Sequence, residues 1–581
     1  MFYLHKKLFS KQHLIVIFQT VSQKEAAHLQ AWKEKYDSYI QNIQKQQTSS
    51  PPPVPGKEEL SLSLSANLEH LLARLGQSGD LVVRDFMLFG RYKAALVFFS
   101  SLVNQEQIQE HILKPLMAHS GGHPGLPDKP TEMSRYIWNA AVQVTQGTTE
   151  QDLSILPSAI VKGQLVLLIE GSAEALMLDM RQIDIRAVDQ PQTEQVIRGP
   201  REGFVEKLEN NLSLLRYRLQ STDFRIEISP LGTRTQSRVA LCYLESLADP
   251  KLVAEVMRRI SIIHTDGIID AGYIEQFIED QPLSPFPQVQ STERPDKTVA
   301  ALLEGRVAIL VDGSPFALIV PALFNQFFQT VDDYTERFIM GSLIRIIRLI
   351  ALAFSLFFPA LYVSVISFDP ELMPTDFAVA ISGGRAGVPF PAVLEVLIME
   401  VSMEVLREAT IRLPQMIGGA LSIVGVLVIG QAAVAAGLAS PITVVIVALT
   451  TIGSFATPAY NAAIALRMLR FPLILLAGMF GLYGVMIGTI LIINHLLFLE
   501  SFAVPYMSPY IPGKWRDWKD SLVRVPLWWM RSRPSFLHTQ DNTRLPTPVP
   551  GNYSEQILQQ GGETGEQFPA DHNTSGSSRN K

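Results

Sequence analysis

Five charged residues, Glu395, Glu400, Glu404, Arg407 and Glu408, interrupt the apolar stretch from Ala392 to Arg412. Positions 400, 404, 407 and 408 stand at i, i+4, i+7 and i+8, a spacing that gathers them on one face of a helix. An ionised side chain at the centre of a bilayer costs roughly 2.5–3.5 kcal/mol on insertion scales. A face carrying several of them cannot point at lipid and must meet water, its own partners or another subunit. Two readings stay open. Either the face lines a path for ions, or the segment is an interfacial helix whose charges stay among headgroups, with Glu404 and Arg407 paired at i, i+3.

Other chemistry is sparse. No GxxxxGKS or GxxxxGKT phosphate loop, HExxH, CxxC or GxSxG occurs, and the run from Gly121 to Lys129 resembles a phosphate loop only in composition. The 11 histidines are scattered without metal-ligand spacing. One cysteine, Cys242, excludes an internal disulfide framework and any multi-cysteine zinc or iron–sulfur site. With 49 Lys+Arg against 55 Asp+Glu the net charge is −6, which leaves no basic footprint for nucleic acid. The chain therefore reads as non-enzymatic, with no cofactor and no metal.

The elements that must position the charged face are apolar. Charged residues make up 18% of the 581-residue chain, below the ~25% usual for soluble domains. From Arg345 to Tyr510 only 8 acidic and 7 basic residues occur, and from Leu413 to Leu466 there are none. This composition implies an integral membrane protein with a large soluble part. Four spans are expected, at Leu349–Phe368, Met416–Leu438, Ile442–Tyr460 and Phe471–Leu499. Arg345 and Arg348 place the flank of the first on the cytoplasmic side, and the N-terminus lacks an export signal, so the first ~340 residues are expected there too. If 392–412 also spans, the tail bearing Lys514, Arg516, Lys519 and Arg524 falls outside. If it does not, Arg412, Arg467 and Arg470 do. Each count violates the positive-inside rule somewhere.

Small residues at Ala477 and Gly481, at Gly484 and Gly488, and at Gly418, Gly425 and Gly430 favour close helix packing, between subunits or within the chain's own bundle. His495 and Asn494, polar near the end of the last span, read as a cap or an interhelical hydrogen bond. Trp515, Trp518, Trp528 and Trp529, interleaved with basic residues, read as an interfacial anchor.

The soluble region carries an internal duplication. Asn67-Leu68-x-x-Leu71-x-x-Arg74-Leu75 recurs as Asn211-Leu212-x-x-Leu215-x-x-Arg218-Leu219, Lys93–Leu102 matches Arg238–Leu247, and Gly163–Ser172 matches Gly305–Ser314, in the same order. Each copy reads as a helix, two strands, a helix and a hairpin, whose Glu170-Gly171 or Asp312-Gly313 suits a tight turn. The organisation is a polar extension with a Pro-rich linker at 1–60, α/β subdomains at 61–200 and 201–335, a helical membrane domain at 336–512, the Trp/basic segment at 513–540 and a disordered tail at 541–581. The fold class is thus two tandem duplicated α/β subdomains followed by an all-α polytopic membrane domain. Three loops are dense in Gly, Pro and charge. They are Arg198-Gly199-Pro200-Arg201-Glu202-Gly203-Phe204, Ser284-Pro285-Phe286-Pro287-Gln288 and Thr292-Glu293-Arg294-Pro295-Asp296. They read as subdomain junctions rigidified by proline and ion pairs, the first falling where copy one meets copy two.

At these loops the sequence resembles the A subunits of the GerA family of bacterial spore-germination receptors, from about residue 65 to 513. The resemblance extends through Glu304–Gly313, Gly387-Val388-Pro389-Phe390-Pro391, Ser422-Ile423-Val424-Gly425, Gly430-Gln431-Ala432-Ala433 and Ser501-Phe502-Ala503-Val504-Pro505-Tyr506, with Ala503 standing where the family pattern has Gly. It implies a multi-pass protein of the spore inner membrane with its N-terminal region facing the spore core. It further implies partnership with a transporter-like B subunit and a lipoprotein C subunit, and homo-oligomerisation into a ligand-gated cation-conducting channel that triggers germination. Under that resemblance Glu395, Glu400, Glu404, Arg407 and Glu408 are the ion-path candidates. Arg198–Gly203 and Glu293–Asp296 are the inter-subdomain or signalling motif. Two alternatives share the resemblance: an A-like paralogue associated with the dipicolinate-release machinery, and a non-conducting scaffold that transmits B-subunit occupancy.

Overall fold

The first α/β copy runs α1 (Leu64–Leu75), β1 (Leu81–Leu88), β2 (Tyr92–Phe99), β3 (Gly147–Glu150), α2 (Leu156–Val161), β4 (Gln164–Ile169) and β5 (Ala175–Asp179). The second runs α3 (Leu208–Arg218), β6 (Phe224–Leu231), β7 (Ser237–Leu244), α4 (Pro250–Ser261), α5 (Ala271–Ile278), β8 (Gln290–Thr292), α6 (Pro295–Leu303), β9 (Val307–Val311) and β10 (Ala317–Val320). In this computed structural model each copy holds a five-stranded antiparallel sheet, ordered β1-β2-β4-β5-β3 and β6-β7-β9-β10-β8. One order in both sheets is what a duplicated chain produces. The structure describes residues 58–118, 126–127, 129–181, 190–411, 425 and 428–544, and from Leu60 onward they form one unit. The 1–57 extension, the chain after Arg544, most of Gly121–Lys129 and, of Met416–Leu438, residues 416–424 and 426–427 lie outside the described residues.

Apolar clusters cover both faces of each sheet. That double burial is why β4 and β9 read as unbroken apolar runs rather than alternating ones. The edge strands β3 and β8 escape the sequence reading because Gly-Thr-Thr-Glu and Gln-Ser-Thr are short and polar.

The duplication extends to single hydrogen bonds. Asn67 Nδ2 donates to the Ser61 carbonyl at 2.6 Å and its Oδ1 accepts from the Ser61 amide at 2.9 Å. Asn211 repeats both bonds with Val205, at 2.5 and 2.8 Å. The acid–glycine pairs lie in five-residue connections, 170–174 and 312–316, rather than in tight turns, and only the glycines take positive φ, 84° and 93°. Their acids have another task. Glu170 accepts from the Leu64 amide at 2.8 Å and Asp312 from the Leu208 amide at 3.2 Å, pairing the first free N–H of α1 and of α3.

A buried clasp joins the copies. Arg216 on α3 sets Nε and Nη2 each 2.8 Å from an Asp80 carboxylate oxygen, donates to Ser78 Oγ at 3.0 Å and lies 3.8 Å over the Phe99 ring. Beside it the Gly79 amide donates to the Ile226 carbonyl at 2.6 Å.

Beyond Asp332 the chain is helical: α7 (Phe338–Phe368), α8 (Thr375–Arg385), α9 (Ala392–Ile411), a stretch at 428–435, α10 (Pro441–Phe455), α11 (Tyr460–Phe480) and α12 (Leu482–Phe498). α7 and α11 are long and apolar enough to cross a membrane, and α10 and α12 are shorter apolar helices. The expected single span Phe471–Leu499 is instead two helices. Gly481, at φ 60°, turns the chain, and Gly484 and Gly488 face Leu476 and Leu473, so α12 runs back along α11. Ile442–Tyr460 also divides, because α10 ends at Phe455 and Tyr460 opens α11.

Contacts fix the helix directions. α11 starts beside the α/β region, where the Ala459 amide meets the Phe327 carbonyl at 3.4 Å, and ends where Gly481 approaches Phe368 at the far end of α7. α12 returns to Ser501, whose Oγ donates to the Gln288 carbonyl at 2.7 Å. α9 and α10 run from the far end toward the base: Val393 touches Gly478, Thr443 meets Tyr362, and Gly453 packs on Ala351. Residues 500–544 therefore lie on the α/β side. Trp518 Nε1 donates to the Pro509 carbonyl at 3.1 Å, and buried Arg524 donates to the Glu336 carbonyl at 3.0 Å. The Trp/basic segment thus packs on the foot of α7, with Trp529 exposed. Asp541–Arg544, expected within a disordered tail, are tied down, Arg533 donating to Asp541 and to the Thr543 carbonyl.

Candidate functional site

α9 carries its charges into three different settings. Glu395 is fully buried, accepting from the Ser440 amide at 2.5 Å and from Arg385 Nε at 3.3 Å. Glu400 faces inward, 2.6 Å from Arg470 Nη1, while Arg470 Nη2 donates to Ser355 Oγ at 2.7 Å. Glu404 is half-exposed and lies 2.7 Å from Arg407 and 3.2 Å from Arg467. Arg407 also donates to Ser454 Oγ at 3.0 Å and lies 5.1 Å over the Phe455 ring. Glu404 and Glu408, with Val401, Val405, Ala409 and Phe471, border an open hollow of about 620 Å³.

The electrostatics follow from this division. Arg470 meets Glu400 inside the apolar bundle and Arg407 and Arg467 meet Glu404 at its edge, while Glu408 is exposed. Desolvating a charge costs several kcal/mol unless a partner and hydrogen bonds replace the water. Among the described residues the replacement is incomplete: Glu400 Oε1 and the Nε atoms of Arg407 and Arg470 have no hydrogen-bond partner, and Arg467 Nε meets Glu404 only as an ion pair. Arg467 and Arg470 were the missed residues. They are the only charges between Leu413 and Leu499, and that isolation was the available signal that they needed anionic partners.

A second group joins the loops to the helices. Arg294 is buried and grips Asp296 through Nε at 3.0 Å and Nη2 at 2.7 Å, while donating to the Pro200 carbonyl at 2.9 Å and the Glu194 carbonyl at 3.1 Å. Glu293 accepts from the Gln192 amide at 2.6 Å and Thr193 Oγ1 at 3.1 Å. Pro295 opens α6 at its first position, where its missing N–H costs nothing. Arg198–Gly203 and Glu293–Asp296 thus meet, and Glu202 pairs with Arg218. Arg198, Gly199 and Arg201 are exposed and Gly203 is buried. Burial raises the Glu194 carboxyl, but the Lys297 charge and hydrogen bonds outweigh it and hold Glu194 below its usual range.

The linker between the two copies, 190–203, also reaches the first long helix. Asp332 accepts from the Ile197 amide at 3.1 Å, and its neighbour Asp333 receives Arg345 Nε at 3.2 Å and Arg348 Nη1 at 3.1 Å. Arg345 also reaches Asp520 at 3.0 Å, and Tyr334 donates to Asp520 at 2.7 Å. Sequence reasoning placed Ser284–Gln288 at a subdomain junction. Instead the loop plugs the base of the bundle: Phe286 packs with Phe327, Leu356, Leu466 and Leu496, and Ser284 Oγ lies 2.8 Å from His495 Nε2.

Ala477, Gly481, Gly484 and Gly488 lie along the α11–α12 hairpin. A Cβ at Gly484 would stand 1.9 Å from the Leu476 carbonyl oxygen, so only glycine permits this approach. Among the described residues no group of three or more His, Cys, Asp and Glu is set to hold a metal.

A duplicated α/β region braced on an apolar helical bundle that buries its own ion pairs defines the class. The chain belongs to the Bacillus/Clostridium GerA spore germination protein family, whose model matches residues 69–536. It is 42% identical over 475 residues to the uncharacterized membrane protein YfkQ of Bacillus subtilis (strain 168), covering 82% of this chain and 91% of that one. It is 40% identical to spore germination protein KA of the same organism, covering 84% and 88%, and 38% identical to spore germination protein GerLA of Bacillus cereus, covering 84% and 98%. The N-terminal domain of the A subunit of the Bacillus megaterium spore germinant receptor GerK3 matches 47% of this chain and 100% of its own, at 31% identity and a TM-score of 0.37.

Proposed function

We propose that this chain is the non-enzymatic A subunit of a nutrient germinant receptor in the spore inner membrane, its α/β region facing the spore core. It assembles with copies of itself, with a transporter-like B subunit and with a lipoprotein C subunit, and the assembly passes cations when germinant is sensed. The observation that carries the conducting part is the division of the α9 charges. Glu400 is neutralised inward by Arg470, whereas Glu404 and Glu408 border an open hollow between exposed Val401 and Val405. Glu404 is paired within the chain by Arg407 and Arg467, and the outward side of Glu404 and the exposed Glu408 are tolerable against water or another subunit. A ring of copies supplies both.

The helix directions support the topology. α7 leaves the α/β region and α12 returns to it, so residues 500–544 lie on the starting side. Lys514, Lys519 and Arg524 then share that side with Arg345 and Arg348, and the conflict with the positive-inside rule disappears. The scaffold reading retains one support, the Glu400–Arg470 pair, which closes two of the charges on each other inside the bundle.

Cysteine accessibility tests the reading, because the sole native cysteine, Cys242, is buried. Full-length Glu404→Cys and Glu408→Cys variants in membranes are expected to react with a charged, membrane-impermeant thiol reagent. Ile490→Cys, on the exposed face of α12, is expected to stay unreacted. Inert cysteines at 404 and 408, or equal labelling at 490, contradict a water-facing α9.

A further inference from the structure

The side chain of Gln290, on edge strand β8, is buried, and its carboxamide meets no hydrogen-bond partner among the described residues. Gln290 and Lys297 both line two adjoining cavities, of about 300 and 240 Å³. The smaller lies where three parts of the molecule meet, the linker at Glu194, α5 at Asp270 and Glu275, and the start of α11 at Pro458–Asn461. The Gln290 carboxamide is thus left open to the cavity space that it lines.

The other polar groups of this wall are mostly engaged. Asp270 accepts from Ser314 Oγ at 2.5 Å and the Gly272 amide at 2.9 Å, and Glu194 holds Lys297 at 2.6 Å. Among the described residues the Glu275 carboxyl has neither a hydrogen bond nor an ion pair, and Glu279 and Asp270 stand near it as further anions. What remains open on the buried side is the Gln290 amide and the Glu275 carboxyl, with Ser291 and the exposed Tyr460 and Asn461 at the rim, on a wall with more anions than cations.

We propose that this cavity binds a small organic cation bearing both an ammonium group and an amide, the ammonium against Glu275 and Asp270 and the amide on Gln290. At ~30 Å³ per water the space corresponds to about eight waters, which limits the ligand to a similar number of heavy atoms. Such a ligand would touch the linker, the second subdomain and α11 together. Its occupancy would therefore bear on the joint between the α/β region and the helices, whether or not the helices conduct.

Burial, then Glu279 and Asp270, push the Glu275 carboxyl up to about 7. The ionised form is the one that attracts an ammonium, so affinity should rise between pH 6 and 8. The remaining charged neighbours are Glu194 on the linker and Lys297 on α6; Pro458–Asn461 carry none.

The test is calorimetric titration of the full-length protein in lipid nanodiscs with glycinamide, which carries both groups, and with ethylammonium and acetamide, which carry one each. Saturable glycinamide binding is expected, at least tenfold weaker in Glu275→Gln and in Gln290→Leu and unchanged in the distant Glu174→Gln. Each single-function compound should bind at least tenfold more weakly, and the pH dependence should vanish in Glu275→Gln, which is isosteric and preserves the fold if Gln290→Leu does not. Absence of saturable binding overturns the proposal, as does binding indifferent to Glu275→Gln. Ethylammonium binding as tightly as glycinamide overturns the role of Gln290.

Discussion

Asp80→Asn should loosen the contact between the two α/β copies far more than its position in a short loop suggests. The substitution replaces the charged bidentate partner of the buried Arg216 guanidinium by a neutral amide, and leaves Ser78 Oγ at 3.0 Å, the Phe224 carbonyl at 3.5 Å, the Phe99 ring at 3.8 Å and the Phe224 ring at 5.0 Å. Removing one member of a buried ion pair costs roughly 3–5 kcal/mol, and the retained ring contact, worth roughly 0.5–2 kcal/mol, places the loss near the lower end. At about 1.4 kcal/mol per tenfold, a loss of about 3 kcal/mol raises the population of the opened contact on the order of a hundredfold. Amide exchange read by mass spectrometry reports this directly, since the Gly79 amide is bonded across the interface to Ile226 and the Ile226 amide to Ser78 Oγ. Protection should fall about a hundredfold at these two amides and persist in the sheet centres at Ala95 and Leu310. Pairing Asp80→Leu with Arg216→Met should recover most of it, because a well-packed apolar pair replaces the charges without a desolvation cost. A loss below tenfold, or a double variant no better than the single, would refute the clasp as the joint between copies.

Other outcomes follow from the same geometry. Gly484→Ala should abolish a stable α11–α12 hairpin, since its Cβ meets backbone at 1.9 Å, whereas Gly488→Ala meets only the tip of Leu473 at 2.5 Å and should melt within a few degrees of wild type; equal losses in detergent melting contradict this. Asn67→Ala and Asn211→Ala should each cost roughly 1–3 kcal/mol through unpaired backbone groups, with loss of exchange protection confined to the first or the second copy respectively. A Glu275 carboxyl pushed up to about 7 retains a proton that the unfolded chain, near 4.5, has already lost. Stability from this group therefore falls as pH rises from about 4.5 to about 7, and Glu275→Gln should flatten that slope in melting curves; a parallel slope removes Glu275 as its source.

The fold was legible where periodicity or repetition carried it. The duplicated Asn-Leu helices and the apolar runs of β4 and β9 revealed two copies, and the 3.6-residue period placed four charges on one face of α9. The α11–α12 hairpin was hidden because Phe480-Gly481-Leu482 offers a single glycine as punctuation, so two antiparallel helices read as one long span. β3 and β8 were hidden by being short and polar at sheet edges. In the site, the spacing showed that the α9 charges needed partners but not which ones. Arg467 and Arg470 become partners of Glu404 and Glu400 only when α11 packs beside α9. Ser284–Gln288 reads as a subdomain junction, and the burial of Phe286 under the bundle is a tertiary fact with no local signature.

The most direct test of the account is cation efflux from liposomes holding the purified full-length protein, wild type against Glu404→Gln/Glu408→Gln, with oligomeric state checked in the same preparation. A conducting assembly lined by α9 predicts efflux from wild type that is lost or altered in selectivity in the double variant. Folded, oligomeric protein that passes no cations, or efflux indifferent to both substitutions, would contradict it.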